Sequence, residues 1–285
     1  MNIVIGLAPA VFWGILPLFL RKVGGGSFRS QLVGTALGIL IVAAAIHVAS
    51  GYSAPAAVWV PFLLSGFCWS FGQAGQYHCY ERLGVSVTMP ASTALQVIGN
   101  SLIGGLFFHE WDGMHDIALS LGAVVLIVIG VFAANGRGAS GGGSAVGAAR
   151  ARDWAVLVLS TAGYWLYSAF PLTVTVDSKL EGFLPQALGM LASAVLIGLT
   201  HARDIVDGAS MRNIGGGLIF SVAAATYLMS MTLNGMVNAF VLSQLNVVVS
   251  TLTGAIVLRE TPREKIPGIA IGLAILMAGA TLMVL

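Results

Sequence analysis

Gly136-Arg-Gly-Ala-Ser-Gly-Gly-Gly-Ser-Ala-Val-Gly-Ala-Ala-Arg-Ala-Arg152 is the stretch that organises this chain of 285 residues. It has too few large apolar side chains to bury a core, and its Gly and Ser content reads as a flexible linker over 135–152. Outward from it, apolar runs of span length fall into two groups of five. In the first half they lie near 2–20, 31–49, 57–78, 85–108 and 116–134. In the second they lie near 153–176, 183–200, 213–231, 235–258 and 266–284. Each is close to the roughly 20 apolar residues needed to cross a hydrocarbon core. Five is odd, so if residues 1–134 and 153–285 are copies of one unit, they sit upside-down to one another in the membrane. The expected fold class is therefore an all-α integral membrane protein, with ten transmembrane helices in two inverted five-helix repeats.

Composition agrees: 57% of the residues are hydrophobic and 8% are charged, against about 25% charged in soluble domains. Met1 leads straight into apolar sequence without a basic start or a small-residue cleavage site, which reads as a retained first span. Twelve of the 13 Lys and Arg residues fall in the loops after odd-numbered spans, from Arg21, Lys22 and Arg29 to Arg259, Arg263 and Lys265. Lys179 alone occupies an even loop. The positive-inside rule then puts the odd loops in the cytoplasm and both termini outside. With no run of basic residues, a nucleic-acid partner is not expected. Cys68 and Cys79 on one helix would stand roughly 16 Å apart, too far for a disulfide.

The two halves also align. Gln31-x-x-Gly34 matches Gln186-x-x-Gly189, and Pro17-Leu18 matches Pro171-Leu172. At a constant offset of 150, Gly104, Glu110 and Gly122 recur as Gly254, Glu260 and Gly272. The Gly, Gln and Glu matches carry more weight than the Leu and Val ones in so apolar a chain.

Polar stripes within the spans locate a candidate site. Trp69, Gln73, Gln76 and Tyr80 share one helical face, as do Thr88, Ser92, Gln96 and Asn100 in the next span. Ser243, Asn246, Ser250 and Thr253 form a third stripe, with Gln244 one step round. Amides in hydrocarbon face other helices or a wet cavity. For Ser and Thr, packing explains the stripe. For Gln73, Gln76, Gln96 and Asn100, a cavity that hydrogen-bonds a solute is the stronger reading. Trp13, Trp69, Tyr164, Trp165, Gln186, Gln244 and Asn246 are expected to join that lining.

No Asp, Glu, Lys or Arg lies mid-span, so the solute should be neutral. Side-by-side amide donors and acceptors suit neighbouring hydroxyls, and indole and phenol rings suit a face of C–H groups. A monosaccharide has both kinds of surface. Titratable groups sit at span ends, where His78, Glu81, Glu110 and Glu260 are the candidates for coupling or gating. Symport and uniport both stay open on these residues. Neither a cofactor nor a metal is expected, and the partners are a small neutral solute and the lipid bilayer.

At these residues the chain resembles the glucose/ribose porter family of the drug/metabolite transporter superfamily, bacterial glucose uptake proteins in particular. Pro9-Ala10-Val11-Phe12-Trp13-Gly14 looks like the family's first span. Trp69-Ser70-Phe71-Gly72-Gln73-Ala74-Gly75-Gln76 looks like its third, and Met89-Pro90-Ala91-Ser92-Thr93-Ala94-Leu95-Gln96 its fourth. Phe108-His109-Glu110-Trp111, residues 184–190 and Leu242-Ser243-Gln244 also fit. The resemblance implies a ten-helix inverted-repeat carrier of the bacterial inner membrane that imports a sugar, with protons as the driving ion. Arg259-Glu260-Thr261 stands where the family more often has Gly-Glu-Lys. The superfamily is usually drawn with both termini inside, against the charge distribution found here.

Two other classes compete. An exporter of amino acids or other metabolites can use the same architecture, although a charged solute would want a charge in the cavity. An intramembrane enzyme would need a metal cluster or an activated nucleophile. His109-Glu110 lacks the second His of a His-Glu-x-x-His site, so no enzyme is expected.

Overall fold

The computed structural model of the chain describes residues 3–51, 55–107, 113–135, 144–174, 179–234 and 242–282. Among the described residues regular structure is entirely helical. The first five α-helices are α1 Ile3–Phe19, α2 Phe28–Ser50, α3 Ala56–Arg82, α4 Val85–Phe107 and α5 Met114–Asn135. The next five are α6 Ser144–Ala169, α7 Phe183–Gly198, α8 Gly208–Asn234, α9 Asn246–Ile256 and α10 Ile266–Leu282. Six stretches among the described residues are long and apolar enough to cross a membrane, and they include α2, most of α5 and all of α10. Helices α3 and α4 are long enough but not among the six. They carry the Gln, Asn, Ser and Thr stripes, which lower the hydropathy that such a test reads.

Three boundaries differ from the sequence expectation. Helix α6 starts at Ser144, inside the stretch read as linker, because Ala145, Ala148, Ala149, Arg150, Ala151 and Arg152 are strong helix formers. Pro171 does not kink a span. It lies in a 3-10 turn, Phe170–Thr173, that ends α6. Its counterpart Pro17 stays inside α1, which runs on into a π-helical turn, Leu20–Gly24. In the ninth span, α9 begins at Asn246 after a turn at Leu245. Residues 235–241 and Glu110 lie outside the described residues.

Contacts between small residues fix how the helices run. Gly34 and Gly38 of α2 meet Ser210 and Ile214 of α8 in the same order, so these helices are parallel. Ser65 and Ser70 of α3 bond to Gln186 and Met190 of α7, also in the same order. Gly75 and Gly72 of α3 meet Ser160 and Tyr164 of α6 in reversed order, so that pair is antiparallel. Helices α5 and α10 are antiparallel as well, with Gly130 against Leu276 and Gly279 against Ala123. So are α2 and α7, since Arg29 bonds to Thr200 and Val33 lies near Gly198. Small residues at the crossings let backbones approach, the usual way helices associate in lipid.

The loops that hold the cations meet at one end of the bundle. Ser27 donates to Asp204 at 2.7 Å and Ser30 to Asp207 at 2.9 Å, joining the starts of α2 and α8. Ser27 also caps α2 and Asp207 caps α8, each accepting an N–H from the first turn. Arg82 approaches Asp153 of α6 at 3.6 Å. Glu260 accepts the N–H groups of Val85 and Ser86 at 2.9 and 2.8 Å. Gly84, at φ 88°, makes the turn that presents them.

Candidate functional site

A cavity of about 780 Å³ lies between the halves. Its floor near the cation-bearing end is formed by Tyr80 and Met89, whose hydroxyl and sulfur are 2.9 Å apart. From there it runs toward the opposite end, where Pro171, Phe183 and Gln186 line it. All eleven residues that the sequence put at the site line this one cavity. Trp13 comes from α1; Trp69, Gln73 and Gln76 from α3; Gln96 and Asn100 from α4; and Tyr164 and Trp165 from α6. Gln186 comes from α7, Gln244 from the helical residues before the Leu245 turn, and Asn246 from the start of α9.

The amides of α3 are tied into a network before any solute arrives. Gln73 Nε2 donates to Gln76 Oε1 at 3.1 Å, and Gln76 Nε2 donates to Ser92 Oγ at 2.9 Å. The Tyr164 hydroxyl lies 2.9 Å from Gln73 Oε1 and 2.8 Å from Gln76 Oε1. Gln96 Nε2 reaches the same Ser92 oxygen at 3.1 Å. A Cβ at residue 72 would collide with the Tyr164 ring, so Gly72 is what lets that ring lie on the α3 backbone and deliver its hydroxyl. Gly99 does the same for Trp165, whose Nε1 donates to the Leu95 carbonyl at 2.9 Å. Ser250 and Thr253 of the third stripe bond back to carbonyls of their own helix, as packing hydroxyls do.

One wall is aromatic. The Trp13 ring lies 5.8 Å from Phe220 and 5.7 Å from Tyr227, and Trp69 meets Phe220 edge-on at 5.4 Å. Phe220 and Tyr227 were not picked out from the sequence, where an aromatic in an apolar span looks the same facing lipid, core or cavity. Their spacing of seven on α8 was the available signal, since it puts both on one face. Among the described residues no Asp, Glu, Lys, Arg or His lines the cavity.

Of the coupling and gate candidates, His78, Glu81 and Glu260 lie away from the cavity lining. His78 Nε2 is 3.0 Å from Asp153 Oδ1, and Glu81 is exposed at the same end. Glu260 holds the N-terminus of α4 and has no Lys or Arg partner among the described ion pairs. Glu110 falls outside the described residues. Among those residues there is no cluster of His, Cys, Asp and Glu that could hold a metal.

Comparison with known proteins places this geometry. A sugar uptake protein of Lactiplantibacillus plantarum is 38% identical, the match covering 98% of each chain. A protein described as a ribose uptake protein in Latilactobacillus sakei is 36% identical over 98% of this chain and 97% of that one. A protein described as a glucose uptake protein in Priestia megaterium is 35% identical over 99% and 98%. One crystal structure matches with a TM-score of 0.65 over 99% of this chain and 98% of that one, at 18% identity, a likeness of fold alone. The family model described as sugar transport protein matches residues 4–285, and the chain belongs to that family.

Proposed function

We propose that this protein is a secondary transporter that imports a neutral monosaccharide of the glucose or ribose class by alternating access around the central cavity. The observation that carries the reading is the cavity itself: about 780 Å³, lined by amides, hydroxyls and aromatic rings, with no Asp, Glu, Lys, Arg or His among its described lining residues. That volume is within the usual range for small-molecule sites. Relatives named for sugar, ribose and glucose uptake support the same solute class. A charged metabolite would enter this lining without a counter-ion, which disfavours the amino-acid exporter.

Alternating access is built here from two inverted five-helix repeats, residues 1–134 and 153–285. Helix directions support this. The pairs such a repeat makes equivalent, α2 with α7 and α5 with α10, run antiparallel. The parallel pair α2 and α8 has its counterpart in the parallel pair α3 and α7, and antiparallel α1 and α8 in antiparallel α3 and α6. In the bacterial inner membrane the cation-bearing end faces the cytoplasm and both termini face outward. The cavity in this conformation then faces outward.

The test is uptake of labelled D-glucose, D-ribose and a panel of amino acids into proteoliposomes, with and without an imposed pH gradient. Sugar uptake without amino-acid uptake supports the reading, and the reverse ends it. Acceleration by an inward proton gradient assigns symport; indifference to it assigns uniport. Gln76→Ala leaves the Tyr164 hydroxyl and the Ser92 oxygen without that partner and is expected to abolish uptake with insertion retained. Full uptake by this variant would remove the α3 network from the site.

A further inference from the structure

Several of the amides and hydroxyls at the cavity wall already have a partner inside the protein. Gln73, Gln76, Tyr164 and Ser92 satisfy one another, and Gln186 donates to Ser65. Eight buried side-chain atoms among the described residues have no hydrogen-bond partner, and just two of them belong to cavity-lining residues. These are Trp13 Nε1, a donor, and Asn100 Oδ1, an acceptor. Buried polar atoms without partners are uncommon because each loses its hydration and gains nothing.

We propose that Trp13 and Asn100 are the side chains that hydrogen-bond the solute directly and select which of its hydroxyl groups are recognised, while the Gln73–Gln76–Tyr164 network is positioning. This rests on the neutral-sugar reading above. The cavity-lining indoles of α1 and α6 make the contrast plain. Trp165 spends its N–H on the Leu95 carbonyl, whereas Trp13 spends its N–H on nothing. Trp13 is also not free to turn toward another acceptor, since Phe220 and Tyr227 bracket its ring. An N–H held in place without an acceptor is preorganised for a ligand oxygen, and its bond forms without a loss of rotamer freedom. Asn100 stands one turn beyond Gln96, whose amide is tied to Ser92. An indole donor and an amide acceptor ask the solute for an oxygen that accepts and a hydroxyl that donates. A polyol supplies both, and a hydrocarbon or an aromatic solute supplies neither.

Both atoms are covered in this conformation, so their bonds form as the solute is occluded rather than at first encounter. A site that makes a hydrogen bond of this kind discriminates strongly against the analogue lacking that hydroxyl.

The test uses the full-length protein in proteoliposomes with D-glucose, D-ribose and their monodeoxy analogues as probes. Wild type is expected to reject at least one deoxy analogue of the sugar it carries. Trp13→Phe keeps an aromatic ring against Phe220 and Tyr227 and removes the donor. It should raise the half-saturation concentration for the parent sugar on the order of tenfold and erase discrimination at one hydroxyl. Asn100→Leu keeps the volume and should do the same at the hydroxyl it reads. If either fails to insert, Trp13→Leu and Asn100→Met, which likewise remove the indole donor and the amide acceptor, carry the same comparison. Variants that rank the deoxy analogues as wild type does overturn the assignment while the sugar reading stands. Wild-type vesicles that carry neither sugar overturn the sugar reading and this assignment with it.

Discussion

The junction between α2 and α8 and the junction between α3 and α7 are alike in geometry and opposite in chemistry. Both pair parallel helices through glycines, Gly34 and Gly38 at one and Gly66 and Gly189 at the other. At the start of α2 and α8, two carboxylates and two serines cross-cap the helices, and Arg212 adds a bond from its Nε to the Gly24 carbonyl. At the start of α3 and α7, Phe62 packs over Gly182, and Ser65 links Gln186 to the Tyr167 carbonyl. Both described salt bridges lie at the first end, and the cavity reaches toward the second. The difference teaches which end is fastened in this conformation. Directional, charge-assisted bonds hold the cation-bearing end shut, while the opposite end is held by contacts that give way more easily.

Glu260 offers the sharpest way to break that comparison. Its carboxylate holds two N–H groups at the start of α4, the helix that carries Gln96 and Asn100. Bonds from a charged acceptor are worth about 1.5–3 kcal/mol each. Glu260→Ala should therefore weaken the fastened end by about 2 kcal/mol or more, a shift of roughly thirtyfold between conformations. Cys79 is a native reporter, fully buried beside Ala91 and Leu157 at that end. In a Cys68→Ser background, an impermeant maleimide applied from the cation-bearing side should label Cys79 much faster in the alanine variant. Labelling as slow as in the parent would mean that Glu260 caps α4 without fastening anything.

Asp207 sharpens the same contrast more gently. Burial opposes ionisation of its carboxyl, but the Ser210 N–H, the Ser30 and Ser210 hydroxyls and the Ala209 N–H outweigh that and hold it below its ordinary value of 3.8. A carboxyl lowered on folding adds stability above its unfolded value, and that stability is lost as pH falls through the folded one. Asp207→Asn keeps a capping side chain but removes the charge, and should cost about 1 kcal/mol at neutral pH through the lost interaction with the helix N-terminus and weaker bonds from Ser30 and Ser210. The gap in thermal stability between variant and parent should close below pH 3.8 as the parent carboxyl protonates. A gap that persists in acid would assign the loss to packing rather than to charge.

The amide stripes of α3 and α4 were legible in the sequence because Gln and Asn are rare and costly in an apolar span, so their period of a helical turn stands out. Gln73, Gln76, Gln96 and Asn100 all line the cavity, with Trp69 and Tyr80 beside them, whereas Thr88 and Ser92 of the second stripe do not. Phe220 and Tyr227 were not legible, because an aromatic costs nothing in any orientation within hydrocarbon. The fastening role of Glu260 was hidden for another reason. It depends on Gly84 and Val85, some 175 residues away in the chain, and no local pattern announces a cap supplied across the fold. Helix α6 starts within the Gly- and Ser-rich stretch because the Ala and Arg residues of 145–152 favour helix as much as the Gly and Ser around them disfavour it. What the sequence could not separate was contact from support among the amides. That distinction lies in which atoms are already bonded, a property of three-dimensional placement alone.

The smallest effect belongs to the loosely held end. Ser65 donates to the Tyr167 carbonyl at 2.7 Å and accepts from Gln186 Nε2 at 2.9 Å. Neither bond involves a charge, and Gln186 lines the cavity, where water can replace a lost acceptor. Ser65→Ala should thus cost no more than about 1 kcal/mol in thermal stability and leave Cys79 labelling from the cation-bearing side unchanged. If the ends differ as their chemistry indicates, Ser65→Ala and Glu260→Ala separate by an order of magnitude in that labelling rate. Equal rates would place the fastening in the glycine crossings common to both junctions, and the polar bonds at the cation-bearing end would then be mere capping.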